Sequence, residues 1–166
     1  KEHRLIAQHG DTLGCGFDKP YFLADKNFIV VKGINTVGAV AKLANVKIAV
    51  KYDAAISENY SDYKVVLKHN EYTNKTLTFG KGETRYGYMP GGEFTMEVWA
   101  VIDGEWKVYT TVPGTYAPND FVTFTITTDA SEGSVVINIT VDNTVENKEE
   151  TIEIPAYTTP QEAPSI

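Results

Sequence analysis

The sequence FTMEVWAVIDGEWKV, residues 94–108, has the clearest strand pattern of the chain. Over its first part, apolar side chains stand at every second position, which is the period of a β-strand with one face turned towards a core. Asp103-Gly104 follows, and this pair favours a two-residue hairpin turn because both central residues of that turn need positive φ. The stretch therefore predicts two antiparallel strands, and we expect Trp106 and Val108 to continue the inward row on the second strand.

The same alternation extends on both sides of this hairpin. Inward rows of apolar residues are predicted at 63–67, 77–79, 122–126, 135–141 and 152–154. Helical spacing is nearly absent, and only residues 54–60 lack a strand pattern, where Asp53 predicts the N-cap of a single helical turn. The chain is therefore predicted to be all-β.

The alternation changes parity between residues 36 and 52. Apolar side chains occupy odd positions in 37–43 and even positions in 46–52. A straight strand cannot keep both sets on one face, so the chain must bulge near Ala44-Asn45 or leave one sheet there and enter another. We interpret this position as a domain boundary.

This boundary divides the chain into two units and a tail. Residues 1–44 carry about three predicted strands, which is too few to close a core, so we expect them to be the C-terminal part of a first β-sandwich that is incomplete at its N-terminus. Residues 45–155 carry about eight strands at the spacing of a second, complete sandwich of immunoglobulin-like kind. The polar, proline-bearing residues 156–166 predict an extended linker or tail.

Composition narrows the classes of function. The 166 residues are 42% hydrophobic and carry a net charge of −7, from 22 acidic and 15 basic residues. This net negative charge repels polyanions, which argues against nucleic acid as a partner. Cys15 is the single cysteine, so the chain cannot form an internal disulfide. It is either a reactive thiol or, as its flanking glycines favour, a small half-buried residue without chemistry.

Neither catalysis nor metal binding has a recognisable sequence pattern here. The chain lacks the Gly-x-Ser-x-Gly elbow, the phosphate loop and the dinucleotide fingerprint. His3, His9 and His69 have no second ligand at a metal-binding spacing, and we expect them at the surface or at strand ends. An acidic run is interpreted as a solvated turn and edge strand rather than a calcium loop. Its members are Glu146, Glu149, Glu150 and Glu153. We predict no catalytic residue, no metal, no cofactor, and a protein that is not an enzyme.

Five aromatic residues are candidates for contact with a ligand or partner. Trp99, Tyr109 and Tyr116 fall out of step with the inward rows, and Tyr86 and Tyr88 precede a Pro-Gly-Gly sequence. Exposed aromatic faces stack on sugar rings and also form protein contact hot spots. The alternative is that these rings pack into a second apolar seam or an interface between domains.

Three segments carry a resemblance to a known family: GFDKPYF at 16–22, KLANVKIAVKYD at 42–53 and SDYKVVL at 61–67. They resemble a family of Bacteroidota surface lipoproteins of unknown function that looks related to the fimbrillin-like proteins of type V pili. The resemblance implies two tandem β-sandwiches of transthyretin-like kind, export through a lipoprotein signal, and display on the bacterial outer membrane. Anchoring there would need an N-terminal region that these residues do not contain.

Two hypotheses of function follow from these patterns. The first is a non-catalytic structural or adhesive protein of the cell surface, a fimbrillin-like subunit that assembles by β-strand addition with its own subunits or contacts a host surface. The alternative is a glycan-binding module of a surface lipoprotein. Asp11-Thr12-Leu13 also resembles the O-glycosylation signal of exported Bacteroidota proteins, which makes Thr12 a candidate for modification.

Overall fold

A computed structural model of the chain describes residues 1–129, 134–142, 147–154 and 161–162, with side chains described for residues 1–128. These residues form fourteen strands and one short helix. In chain order they are β1 (Glu2–His9), β2 (Gly16–Phe17), β3 (Phe22–Ile29), β4 (Lys42–Leu43), β5 (Val46–Tyr52), α1 (Ala54–Asn59), β6 (Tyr63–His69), β7 (Thr76–Gly80), β8 (Gly87–Met89), β9 (Gly92–Ile102), β10 (Glu105–Tyr116), β11 (Phe121–Asp129), β12 (Ser134–Asp142), β13 (Asn147–Ile154) and β14 (Gln161–Glu162). The all-β prediction is confirmed.

Two large sheets pack as a β-sandwich. One has six strands in the order β13-β12-β11-β5-β8-β2, and the other has five in the order β14-β10-β9-β6-β7. Neighbouring strands are antiparallel except β5 and β11, which run parallel. The core between the sheets takes Ile48 and Phe124 from the six-stranded sheet and Phe79, Phe94 and Met96 from the five-stranded sheet, all fully buried.

Most of the predicted inward rows lie in this core. The buried residues at alternate positions are Tyr63, Val65, Leu67, Leu77, Phe79, Phe94, Met96, Val98, Ala100, Val122, Phe124 and Ile126. Residues 135–141 and 152–154 lie in β12 and β13, but their side chains are outside the described part of the chain. The predicted helical turn is also confirmed: α1 begins after Asp53, whose side chain accepts a hydrogen bond from the amide of Ala55.

The prediction for the strand after the hairpin is wrong. Asp103 and Gly104 have positive φ, as the turn requires, but Val108 pairs with Trp99 and not with a member of the inward row. A two-residue loop places residues of even number opposite residues of odd number, so the inward parity switches between the strands. Trp106 and Val108 therefore face away from the core, and Tyr109, opposite Val98, faces into it.

A third sheet, which we call the small sheet, has the order β1-β3-β4. β1 pairs with β3 over its whole length, from Glu2 opposite Ile29 to His9 opposite Phe22. The strand expected at 37–43 is wrong except for its end, because only Lys42–Leu43 forms β4. Alternation alone does not make a strand, and residues 36–41 pair with no described strand that would supply the main-chain hydrogen bonds.

The chain changes sheets at Ala44-Asn45, where the parity changes. β4 belongs to the small sheet and β5 to the six-stranded sheet. Asn45 is fully buried, and its side chain accepts a hydrogen bond from the amide of Tyr21 (3.3 Å) and donates one to the carbonyl of Lys19 (3.1 Å). The polar side chain thus satisfies two main-chain groups at the crossing point.

The division into separate domains at this point stays a prediction. From residues 1–44, β2 joins the six-stranded sheet by pairing with β8, and the Phe17 ring meets Phe79 edge-on with centroids 5.2 Å apart. Within the predicted tail, Gln161–Glu162 pairs with Lys107 and Val108 of β10, and the rest lies outside the described residues.

Candidate functional site

Three of the five candidate aromatic residues are buried. Trp99, Tyr109 and Tyr116 are only 4%, 5% and 6% exposed. Tyr109 and Tyr116 belong to the core between the large sheets, whereas Trp99 lies on the outer face of the five-stranded sheet with Val66 and Val108. The structure therefore does not bring these rings together as a surface platform, and their packing fits the alternative of a core and a second apolar seam.

The outer seam around Trp99 has an unusual polar feature. The indole Nε1 of Trp99 is buried and has no hydrogen-bond partner among the described residues. The Lys64 ammonium lies 5.5 Å from the Trp99 ring centroid and 5.0 Å from that of Trp106, within the range of a cation–π interaction.

Tyr86 and Tyr88 remain accessible. Tyr86 is 43% exposed, and the Lys47 ammonium lies 4.1 Å from its ring centroid, while Phe121 meets the ring edge-on at 5.5 Å. Tyr88 is half-buried within β8, opposite Lys47 of β5 and Gly16 of β2. Partial burial raises the pKa of the Tyr88 hydroxyl. Of the five candidates, Tyr86 presents the most surface to a ligand.

A cavity of about 480 Å³ lies beside Tyr86. We call it the Tyr86 cavity. It is lined by the edge of β5 at residues 49–52, by Tyr63, and by the loop residues Gly82, Glu83, Thr84, Arg85 and Tyr86. The cavity arises because β8 pairs with β5 only at Val46–Ile48, so the loop before β8 stands away from the remaining edge of β5. Its volume is within the usual range of small-molecule sites.

The loop that forms the outer wall of the cavity is held by an ion pair. The Arg85 Nε and Nη2 atoms each donate a hydrogen bond of 2.9 Å to the Glu83 carboxylate, which also accepts one from the Arg85 amide. These hydrogen bonds lower the pKa of Glu83 to about 2. The Arg85 guanidinium also lies 4.3 Å from the Phe17 ring centroid, so the loop is attached to β2.

The small sheet presents a second candidate surface. Apolar side chains on it and on the following segment 30–41 are exposed, with Ile6 at 53%, Ile29 at 71% and Ile34 at 95%. Arg4 and Asp25 form a bidentate ion pair on the face that also carries Ile6. Among the described residues, no strand pairs with the outer edge of β1. This surface therefore combines exposed apolar area with free main-chain groups.

One of the three histidines is buried and the other two are exposed. His69 ends β6 but is 1% exposed: its Nδ1 accepts from the amides of Glu71 and Tyr72, so Nε2 carries the proton and donates to the carbonyl of Gly91. His69 thus lies at a strand end, one of the two positions expected for the histidines, and these hydrogen bonds satisfy its ring inside the protein. His3 and His9 are exposed.

Cys15 is half-buried, with its Sγ 3.6 Å from the carbonyl of Thr76, and burial raises the pKa of its thiol. This agrees with a packed residue rather than a reactive thiolate. Thr12 is exposed, and its modification stays a prediction. Within the part of the chain that the structure describes, no group of three or more His, Cys, Asp or Glu residues is arranged to hold a metal ion. The acidic run interpreted as a solvated turn lies outside the described side chains.

Comparison with known proteins gives the family. The fold defines the class as an all-β sandwich protein. The chain belongs to the family described as Domain of unknown function (DUF4493), whose model matches residues 2–156. No curated protein matches the chain. A crystal structure of a proposed cell adhesion protein from Bacteroides uniformis is similar at 10% identity and a TM-score of 0.44, covering 91% of this chain. The chain spans 66% of that protein.

None of the described helices is long and apolar enough to cross a membrane.

Proposed function

We propose that the protein is a non-catalytic structural or adhesive component of the bacterial cell surface that assembles through the small sheet. The observation that supports this most is the exposure of apolar side chains beside an edge of β1 that pairs with no other described strand. A sheet edge with free N–H and C=O groups is a template for an added strand. Natural proteins usually protect such an edge with a short strand, a bulge or a covering segment. β1 is instead eight residues long and pairs with β3 along its whole length without a bulge.

The partner that we propose is a second copy of this chain, as in a fimbrillin-like assembly. Main-chain hydrogen bonds along β1 would supply affinity, and burial of Ile6 and Ile29 would add apolar contact. Export as a lipoprotein and display at the outer membrane belong to the same proposal and are supported by the resemblance of segments 16–22, 42–53 and 61–67.

Sedimentation velocity over a range of chain concentrations tests this function. The wild-type chain is expected to associate as concentration rises, and Ile6→Lys is expected to weaken association because it places a charge in the proposed contact. Val112→Lys is the matched control, since Val112 is similarly exposed (49%) on β10 of another sheet. Thermal unfolding shows that both variants are folded. Monomers at every concentration, or equal effects of the two substitutions, would contradict the proposal.

A further inference from the structure

The Tyr86 cavity supports an inference that is independent of assembly through the small sheet. Its floor is the edge of β5 at residues 49–52, and its wall is the loop held by the Glu83–Arg85 ion pair. Tyr52, which also lines the cavity, donates a hydrogen bond of 2.5 Å to the carbonyl of Phe79. The walls are therefore fixed by hydrogen bonds within the protein, which reduces the entropy that a bound ligand would have to remove.

The shape of the cavity favours a compact ligand over an extended peptide. A peptide that added to β5 could pair only with residues 49–52, because β8 occupies the edge before them and α1 begins at Ala54. So short an edge offers few main-chain hydrogen bonds. A volume of about 480 Å³ instead accommodates one or two sugar rings, and the opening to solvent allows a longer chain to continue outside.

The aromatic and hydroxyl groups also suit a sugar. Tyr86 lines the cavity and keeps 43% of its surface exposed, which leaves room for contact with the apolar C–H face of a sugar ring. Thr84 in the same wall offers a hydroxyl that can both donate to and accept from sugar hydroxyls.

The charges around the cavity favour an anion, although the whole chain is acidic. Lys51 and Arg85 line the cavity, Lys47 lies over Tyr86, and Lys81 lies 5.7 Å from the ring centroid of Tyr63. Glu83 opposes them but is already paired with Arg85. Asp18 also interacts with Arg85, so four cationic side chains meet two carboxylates.

Lys51 is the best placed of these cations for a ligand. It is exposed, lines the cavity, and forms no ion pair with any side chain of residues 1–128. An ammonium without a protein partner can form a charge-assisted hydrogen bond with a ligand carboxylate. From the partly open, ring-sized space, the exposed Tyr86 and a Lys51 that has no ion pair within residues 1–128, we infer that the Tyr86 cavity binds a carboxylate-bearing sugar of an acidic glycan.

Binding of a defined panel of oligosaccharides tests this inference. The acidic probes are short chains of galacturonate, glucuronate, mannuronate and sialic acid, and methyl-esterified oligogalacturonate is the matched neutral probe. An oligoglutamate peptide tests the alternative of an acidic peptide. NMR chemical-shift titration of the wild-type chain reports both affinity and location. We expect at least one acidic oligosaccharide to shift the amides of residues 82–86 and 49–52, with a weaker effect at higher salt.

Four variants separate the inferred contacts from general effects. Lys51→Glu is expected to lower affinity at least about tenfold, since it replaces the attractive charge by a repulsive one, and Lys32→Glu, outside the cavity, is the control with the same charge change. Tyr86→Ala is expected to lower affinity by about tenfold, whereas Tyr86→Phe keeps the ring and should stay within about twofold.

Four results would overturn the inference. They are the absence of binding across the whole acidic panel, equal binding of the esterified probe, binding of oligoglutamate in preference to the sugars, and equal effects of Lys51→Glu and Lys32→Glu. Tyr86→Phe and Lys51→Glu keep the test decisive if Tyr86→Ala proves unstable after losing its contact with Phe121. A negative result for sugar binding would not change how association depends on chain concentration. The two proposals can therefore fail independently of each other.

Discussion

Asn45→Ala should destabilise the protein at the point where the chain passes from the small sheet to the sandwich. Asn45 is fully buried, and its side chain joins two main-chain groups of the preceding segment: the amide of Tyr21 and the carbonyl of Lys19. Alanine keeps the backbone of β5 but removes both hydrogen bonds. The buried Tyr21 amide then has no replacement, because the methyl side chain cannot accept a hydrogen bond.

The expected loss is about 2–4 kcal/mol in the free energy of unfolding. An unsatisfied buried main-chain group costs roughly 1–3 kcal/mol, and the Lys19 carbonyl contributes less because that residue is exposed and water can reach it. Asn35→Ala is the matched control. Asn35 makes three hydrogen bonds with the main chain of Val31 and Gly33, but on an exposed segment where water can replace them, so its loss should stay below about 1 kcal/mol.

Urea unfolding followed by tryptophan fluorescence measures both free energies, with Trp99 and Trp106 as probes. Amide hydrogen exchange adds a local measurement, in which the Tyr21 amide should lose protection in Asn45→Ala and keep it in Asn35→Ala. Equal free-energy losses in the two variants, or unchanged protection of the Tyr21 amide in Asn45→Ala, would show that burial does not make the hydrogen bonds of Asn45 important for stability.

Two further predictions concern a glycine and a carboxylate. Gly92→Ala should lower the free energy of unfolding by about 2 kcal/mol or more, because φ at this position is +142° and the new Cβ would lie 2.7 Å from His69 Nε2, whereas Gly38→Ala, with open space around it, should stay within about 0.5 kcal/mol in the same urea experiment. The pKa of Glu83 should be about 2, so its ion pair with Arg85 is fully formed above pH 4.5 and is lost only as pH falls through about 2. In Arg85→Ala a side-chain carboxyl NMR titration should find this pKa raised towards 4.5 but short of it, because the main-chain hydrogen bonds from residues 84 and 85 remain; an unchanged midpoint would contradict the assigned cause.

The alternation of apolar and polar residues predicted most of the fold, because the direction in which a strand's side chains point is a local property. It predicted the buried rows of the sandwich, and its change of parity indicated a bulge or a change of sheet at Ala44-Asn45, where the structure shows a change of sheet. Whether residues 37–43 form a strand depends instead on a neighbouring strand to pair with. Only Lys42–Leu43 (β4) pairs with one, so the alternation of apolar residues was not sufficient there.

The candidate aromatic residues show where parity arguments fail. Tyr109 faces the core because the two-residue hairpin switches parity, which the loop length alone could have shown. Tyr116 faces the core for a different reason: the register of β10 shifts between Thr111 and Gly114, and this bulge changes parity again. Pro113-Gly114 is a sequence signal for such an irregularity within a strand.

The Tyr86 cavity could be predicted only in part. Tyr86 was recognised as an aromatic residue before a turn, but Lys51 gave no signal because it is an ordinary polar member of an alternating strand. The cavity depends on where β8 stops pairing with β5, which is a non-local property of the sheet. A ligand site made by the end of one strand beside the edge of another has no fixed spacing in the sequence.

Hydrogen exchange of the β1 amides as a function of chain concentration tests the proposed assembly most directly. If a second copy adds a strand to this edge, amides at alternate positions of Glu2–His9 should gain protection as the chain associates, because those N–H groups become paired. The amides of β7, an edge strand of the five-stranded sheet, should not change. Association without added protection in β1, or with protection appearing at β7 instead, would contradict assembly through the small sheet.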